Sequence, residues 1–583
     1  MDIRAMAGAM RLSPLGIGRH GLVPNIYDAV VFILIAGAFV LVAHGAREMH
    51  GSLKGLDVAA VTLDARNLPE YALRTTLRMF AAIVASLIFT FVVATLAAKS
   101  RKAELVIIPA LDILQSVPVL GFLTFTVTFF LGLFPGNVLG AECAAIFAIF
   151  TAQAWNMAFS FYQSLRTIPS DLDECSRHFR LSPWLRFWRL EVPFAAPGLI
   201  WNTMMSMSGG WFFVVASEAI TVGDTTVTLP GIGSWIALAI AREDLGAVAL
   251  AVATMGLVIL AYDQCVFRPI IAWADKFKFE QTAAQERPRS WVYDLIRRTK
   301  VLRRLTAPLA RLADQLSTVR LPMPKRPRKP LPKWLDRASN LAWLGLVLIA
   351  TAYALWVIVE YVHSTLGLHE ILTAIGLGLL TLTRVIILIA LASAVWVPIG
   401  VWIGLRPWAA ERVQPIAQFL AAFPANVLFP IAVVVIVQLA LNPNIWLSPL
   451  MVLGTQWYIL FNVIAGASAF PTDLREAATL YRLRSPQWWR TVILPGILPY
   501  YVTGALTATG GSWNASIVAE VASWGQIKLQ AAGIGAYIAE ATDAGDYHRV
   551  VLGIAVMSIF VITTNRILWR PLYRIAEERY RLN

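Results

Sequence analysis

Residues 168–198 read IPSDLDECSRHFRLSPWLRFWRLEVPFAAPG, and residues 470–500 read FPTDLREAATLYRLRSPQWWRTVILPGILPY. Displaced by 302 positions, Pro169 meets Pro471, Asp171 meets Asp473, Leu172 meets Leu474 and Glu174 meets Glu476. The same shift continues through Arg180/Arg482, Pro193/Pro495, Pro197/Pro499, Trp211/Trp513, Glu218/Glu520, Gly231/Gly533, Asp244/Asp546 and Pro269/Pro571. Upstream the offset becomes 306, pairing Thr75 with Thr381, Arg78 with Arg384, Pro109 with Pro415 and Pro118 with Pro424. The four-residue change falls near 134–140. Apolar composition alone aligns leucines and alanines, not prolines, glycines, tryptophans and acids in one register. The chain is a tandem repeat.

The 583 residues are 58% hydrophobic and 14% charged, with a mean hydropathy of +0.64. Soluble globular chains carry roughly 25% charged residues, so the composition is that of a polytopic membrane protein. A span needs about 20 apolar residues. The apolar runs predict spans at 26–43, 71–97, 117–135, 139–161, 195–220 and 245–266. A second set is predicted at 341–363, 374–404, 424–441, 446–466, 497–522 and 549–568. No succession of short alternating strands supports a β-barrel. The expected fold is therefore an all-α polytopic membrane protein, two tandem parallel repeats of about six helices each. An even number of spans per repeat gives both copies the same orientation, which suits one pathway at their interface.

The segments divide as 1–70, with an uncleaved first span and a cytosolic N-terminus; 71–269, a first membrane domain; 270–340, a basic linker; 341–376, a seventh span and outer loop; and 377–583, a second membrane domain with a short tail. Residues 266–340 hold 18 Lys and Arg against 6 Asp and Glu, a difference of +12. That segment accounts for most of the net +14 and places the linker in the cytosol. Cytosolic loops explain the basic balance, so no nucleic-acid partner is expected. Between Arg289 and Val319, apolar residues recur at helical spacing among arginines, which suits an amphipathic helix on anionic membrane lipid. LPMPKRPRKPLPK at 321–333 is too proline-rich for a helix. Cys143, Cys175 and Cys265 are isolated and lack metal-ligand spacing.

The polar stretch after the fourth span of each repeat is expected to be a short cytosolic helix. Pro169 and Pro471 suit its first turn, and Asp171, Glu174, Asp473 and Glu476 favour its positive end. Held between two spans, such a helix can receive a push from a soluble partner. Glu476-Ala477-Ala478, followed by Leu494-Pro495 and Pro499, resembles the EAA loop of binding-protein-dependent ABC importer permeases, and the layout is most similar to the nitrate/sulfonate/taurine branch. The resemblance covers roughly 71–269 and 377–571. It implies a type I importer permease with both halves fused in one inner-membrane chain, served by two copies of a cytosolic ATPase and an extracytoplasmic solute-binding protein. It implies docking of the ATPase at Pro169, Asp171, Glu174 and Arg180, and at Pro471, Asp473, Glu476 and Arg482. It also suggests a small anionic solute. The first copy reads Glu174-Cys175-Ser176, and the glycine expected six residues after the glutamate is Arg180 or Arg482. An arginine there is expected to continue the helix or to meet acids on the ATPase.

The chain contains no G-x-x-x-x-G-K-[ST] phosphate loop, so ATP and Mg belong to the partner ATPase, with no cofactor expected in this chain. GIG at 231–233 and 533–535 reads as turn glycine at the outer mouth. No catalytic or metal constellation is apparent, so an enzyme is not expected. The fifth spans are polar and small, and buried hydroxyls and amides there need partners or a wet cavity. Candidates for lining a path are Asn202, Ser206, Ser208, Trp211, Thr507, Thr509, Trp513 and Asn514, with interhelical bonding the competing role for each. Gln153, Asn156, Gln456 and Asn462 are secondary candidates. Arg78 and Arg384 fall about 10 Å below the outer end of their spans, and Glu218 and Glu520 approach the same depth. Buried opposite charges at one depth should pair, giving Arg78–Glu218 and Arg384–Glu520; direct binding of an anion by the arginines is the alternative. A fused ferric-iron or thiamine permease, or a secondary transporter with parallel repeats, are the other functions open at this point.

Overall fold

The computed structural model describes residues 61–116, 119–222, 225–277, 290–299, five positions between 307 and 315, 333–468, 470, 472–483 and 486–580. The predicted span 26–43 and the proline-rich run 321–332 lie outside them.

In the first half, α1 (Leu68–Lys99) is followed by α2 (Arg101–Ser116), α3 (Val119–Leu133), α4 (Val138–Arg166) and the short α5 (Ser170–His178). A turn of helix at Pro183–Arg186 and a π-helical turn at Phe187–Glu191 lead into α6 (Val192–Ser217). A hairpin of β1 (Ala219–Val222) and β2 (Thr225–Thr228) precedes α7 (Ile232–Ala241) and α8 (Leu245–Tyr262). A π turn, Asp263–Phe267, carries α8 on to Ala274. After α9 (Trp291–Arg298) and α10 (Lys333–His363), the second half repeats the plan. It comprises α11 (Leu368–Gly404), α12 (Pro407–Ala422), α13 (Phe429–Gln438), α14 (Gln456–Ser468), α15 (Thr472–Leu480) and α16 (Leu494–Ala519). The hairpin of β3 (Val521–Trp524) and β4 (Ile527–Gln530), then α17 (Ile534–Asp543), α18 (Tyr547–Thr564) and α19 (Arg570–Tyr580) complete it.

Seven described helices are long and apolar enough to cross a membrane, or nine if two bent pairs each count as one span. The second bent pair corrects the straight span expected at 446–466, and the first adds a helix ahead of the span expected at 424–441. Trp408–Ala422 and Ala425–Gln438 meet at 76°, and Pro443–Leu453 and Gln456–Ser468 at 44°. Pro424 explains the first break, because a proline disfavours helix at the residue before it and cannot donate within one. Likewise α3 has only 15 residues, about 22 Å of helix, where a span of 117–135 was expected. The two hairpins are further features that the apolar pattern does not reveal.

Helix starts follow the repeat. Asp244 accepts the Ala247 N–H at 3.0 Å and Asp546 accepts the Arg549 N–H at 3.2 Å, capping α8 and α18 alike. Within each half the second long span packs on the fourth and the fourth on the fifth. Across the interface, α3 packs on α16 and α12 on α6, so each half embraces the other's fifth span. One apolar core runs through both halves and includes Met79, Trp211, Val463 and Trp513. By contrast, α10 is held at its edges, with the Trp343 indole donating to Lys102 O at 3.2 Å and Tyr361 stacked on His548. Leu346, Ile349 and Val359 are exposed on its outer face, as contact with lipid requires.

Candidate functional site

Near the two hairpins the structure brings the expected charges together. Arg78 is fully buried, and its Nη1 donates to Glu218 Oε1 at 2.6 Å. Its Nε and Nη2 form a two-pronged contact with Glu142 at 2.5 and 2.7 Å, and Nη2 also reaches Pro230 O at 3.0 Å. Glu218 accepts from Thr75 Oγ1 at 2.6 Å and from the Gly233 N–H at 2.7 Å, and Thr75 in turn accepts from the Ile232 N–H at 3.0 Å. A Cβ on Gly231 would strike the Glu218 carboxylate, and one on Gly233 would strike Val215 O. The GIG glycines thus let the N-terminus of α7 close over a buried acid.

The second half repeats the frame with one change. Arg384 Nη1 donates to Glu520 Oε1 at 3.2 Å and to Ala532 O at 2.7 Å, while Thr381 Oγ1 donates to Glu520 Oε1 at 2.7 Å. Opposite the arginine, at the repeat position of Glu142, stands Asn444, whose Oδ1 is 3.4 Å from Nη2. Neither Glu142 nor Asn444 was singled out from the sequence. An acid near the start of a predicted span carried the same signal as Glu218, and depth matching would have found it.

Between the halves lies a cavity of about 370 Å³. Thr507, Thr509 and Asn514 line it, as does Asn156 of the secondary candidates. Asn514 Oδ1 also accepts the Val119 N–H at 2.7 Å, joining the two halves. The remaining candidates lie elsewhere. Asn202 bonds Ser160 Oγ at 3.0 Å and serves as interhelical glue. Trp211 and Trp513 are core side chains, packed on Tyr262 and Phe560. Ser206 is buried without a hydrogen-bond partner among the described residues, and the side chain of Ser208 is outside them. Gln153 is buried against Met79, Gln456 bonds Trp396, and Asn462 donates to its own helix.

On the opposite side, α5 and α15 end alike. Leu181 N–H reaches Ser176 O and Arg180 N–H reaches Arg177 O; Leu483 and Arg482 repeat both bonds to Ala478 and Thr479. This is a Schellman turn, and its left-handed position is Arg180 at φ 50° and Arg482 at φ 51°. The expectation that arginine prolongs the helix is therefore corrected. The bend of a glycine is kept with an arginine in it. Pro169 stands just before the first helical residue, one place earlier than expected. Asp171, Glu174 and Glu476 are exposed, while Pro471 and the Asp473 side chain are outside the described residues. Beside each arginine an aromatic ring stands in the open, Phe179 at 68% and Tyr481 at 77% exposure.

The model of the binding-protein-dependent transport system inner membrane component family matches residues 86–266 and again 396–579. The chain belongs to this family. Among curated proteins, the nitrate import permease protein NrtB of Synechocystis sp. is 27% identical over 194 residues, 33% of this chain and 67% of that protein. The bicarbonate transport system permease protein CmpB of Synechococcus elongatus is 29% identical over 175 residues, 30% of this chain and 59% of that protein. The glycine betaine/proline betaine transport system permease protein ProW of Escherichia coli is 26% identical over 232 residues, 40% of this chain and 58% of that protein. Each alignment reaches over less than half of this chain, whereas the family domain occurs in it twice. The double match agrees with the internal repeat, and both matched stretches contain the short polar helix and its Schellman turn.

Proposed function

We propose that this chain supplies both permease halves of an ATP-driven importer for a small anion, nitrate or bicarbonate in character. One observation carries the reading: two family domains in one chain, each presenting the same short helix and exposed arginine turn. Two copies of a cytosolic ATPase dock there, one on 169–190 and one on 471–492, and hold the ATP and Mg. An extracytoplasmic binding protein delivers the solute to the opposite face. The names of the NrtB and CmpB relatives support the solute class. A secondary transporter needs no paired cytosolic docking helices, and the ProW likeness supports a betaine as the second reading.

The test is reconstitution of the chain with its ATPase and binding protein in proteoliposomes. ATP-dependent uptake of nitrate or bicarbonate is expected, and Glu174→Lys with Glu476→Lys should abolish it while the chain still inserts. Full transport by that double variant would remove the docking assignment.

A further inference from the structure

The central cavity is not symmetric about the interface. One arm runs between α4 of the first half and α16 and α18 of the second. The repeat-related crevice, between α14 and the pair α6 and α8, encloses only about 50 Å³. The 302-residue offset pairs their walls one residue at a time. Thr507 and Thr509 in the open arm correspond to Met205 and Met207 in the closed one. Thr564 corresponds to Tyr262 and Asn565 to Asp263, while Asn156 corresponds to Tyr458, which lines both the open cavity and the closed crevice. At Met205, Met207 and Tyr262 large side chains fill the closed crevice where Thr507, Thr509 and Thr564 leave space in the open arm.

The open arm also collects hydrogen-bond donors. Asn565 and Trp569 begin and end the π-helical turn Asn565–Trp569, an irregularity common at functional sites. Both line the cavity, as does Trp155 of α4. The indole N–H groups of Trp155 and Trp569 are buried without a hydrogen-bond partner among the described residues, and such groups call for an explanation. The counterpart of Trp569 is Phe267, which has no N–H to leave unpaired. No Lys, Arg, Asp or Glu stands among the residues that line the open arm.

We propose that the solute crosses off-axis, through this arm alone, where Asn156, Thr564, Asn565 and Trp569 hold a small oxyanion by neutral donors. The closed crevice is a structural wall. This rests on the importer reading and refines it. Neutral N–H and O–H groups replace part of the anion's hydration without the deep trap that a buried guanidinium would make, and conduction requires a site weak enough to leave. A carboxylate in the arm repels the solute. The closed crevice carries one at Asp263, held by Arg268 at 2.9 Å.

The experiment uses the assembled transporter in proteoliposomes, reading nitrate or bicarbonate moved per ATP hydrolysed. Asn565→Asp is nearly isosteric and installs the closed crevice's charge in the open arm; it should lower the ratio at least tenfold, with ATP hydrolysis retained. Thr564→Val, which replaces the hydroxyl by a methyl of similar size, should lower it several-fold. Asp263→Asn, in the closed crevice, should change it by less than about twofold. An unchanged ratio in Asn565→Asp and Thr564→Val overturns the site, and equal losses from both crevices overturn the off-axis path. Uptake of glycine betaine in place of either anion overturns the oxyanion assignment. No ATP-driven uptake of any of the three by the unsubstituted assembly instead sinks the importer reading.

Discussion

In the first half a fully buried arginine faces two carboxylates; in the second the equivalent arginine, 15% exposed, faces one carboxylate and an amide. The backbone frame is shared down to the threonine that bonds both the acid and the α7 or α17 N-terminus. The repeat thus fixes the scaffold, while single substitutions set charge and solvation on each side. A buried ion pair contributes little net stability against an apolar replacement of both members, but removing one member leaves a charge with nothing to balance it. The two halves should answer differently to the same cut.

The largest effect is expected from Arg78→Met, which strands Glu142 and Glu218 in an apolar outer core. A loss of about 3–5 kcal/mol is expected, seen as a fall in thermal stability of the purified chain in detergent. Arg384→Met removes a partly exposed arginine and strands only Glu520, which keeps Thr381 and backbone donors, so about half that loss is expected. Equal losses would break the comparison. Next in size, Glu142→Asn gives the first half the second half's chemistry. Arg78 keeps Glu218, so the expected cost is about 1–2 kcal/mol for one charge-assisted contact, read by the same thermal measurement.

A second difference lies around α5 and α15. Around α5, Asp173 contacts Arg177 at 2.7 Å and Arg186 at 2.5 Å, and Glu191 contacts Arg186 at 3.1 Å and Lys99 at 2.8 Å. These are close ion contacts more than aligned hydrogen bonds, since Asp173 Oδ1, Arg186 Nε and Glu191 Oε2 satisfy no hydrogen-bond geometry. They tie α5 to the ends of α1 and α6. The repeat positions of Asp173, Arg186, Glu191 and Lys99 are Arg475, Trp488, Ile493 and Leu405, so the second half lacks the residues that build this particular tie. Glu191→Gln should weaken the first brace by roughly 1 kcal/mol, discounted because Lys99 and Arg186 are partly solvated. Hydrogen exchange should quicken across 170–191 and stay unchanged across 472–493. High salt should narrow the difference between the unsubstituted halves.

The repeat, the long spans and the buried Arg–Glu partners were legible because prolines, glycines, tryptophans and acids kept their spacing through an apolar background. Spacing does not report angle, so the 44° break between Leu453 and Gln456 fell inside the span read at 446–466, and the helix that precedes the 76° break at Pro424 was not read as part of a span. Polar residues on the fifth spans were legible as polar but not as facing a cavity. Thr507 and Asn514 do face it, whereas Asn202 bonds a neighbouring helix, and a helical period alone does not say which neighbour lies on which face. The donors on α18 and its π turn went unnoticed because one tryptophan and one asparagine in an apolar run have no pattern of their own.

The smallest expected effect lies where the halves agree. Arg180 and Arg482 both occupy the left-handed position of a Schellman turn, where a Cβ crowds the carbonyl and costs about 1–2 kcal/mol relative to ordinary backbone. Glycine removes that clash but gives the unfolded chain more freedom, which returns roughly 0.5–1 kcal/mol of the gain. Arg482→Gly should therefore stabilise by about 0.5–1 kcal/mol, a rise of at most a few degrees in the melting temperature, and Arg180→Gly should match it. Both arginines are exposed, so loss of charge could in principle produce a similar change. Arg482→Ala separates the causes, because alanine discards the guanidinium and keeps the Cβ. If alanine stabilises as much as glycine, the strain account fails and the effect is electrostatic. If glycine alone stabilises, while ATPase docking weakens in both glycine variants, the arginines are kept at a cost in folding for what they present to the cytosolic partner.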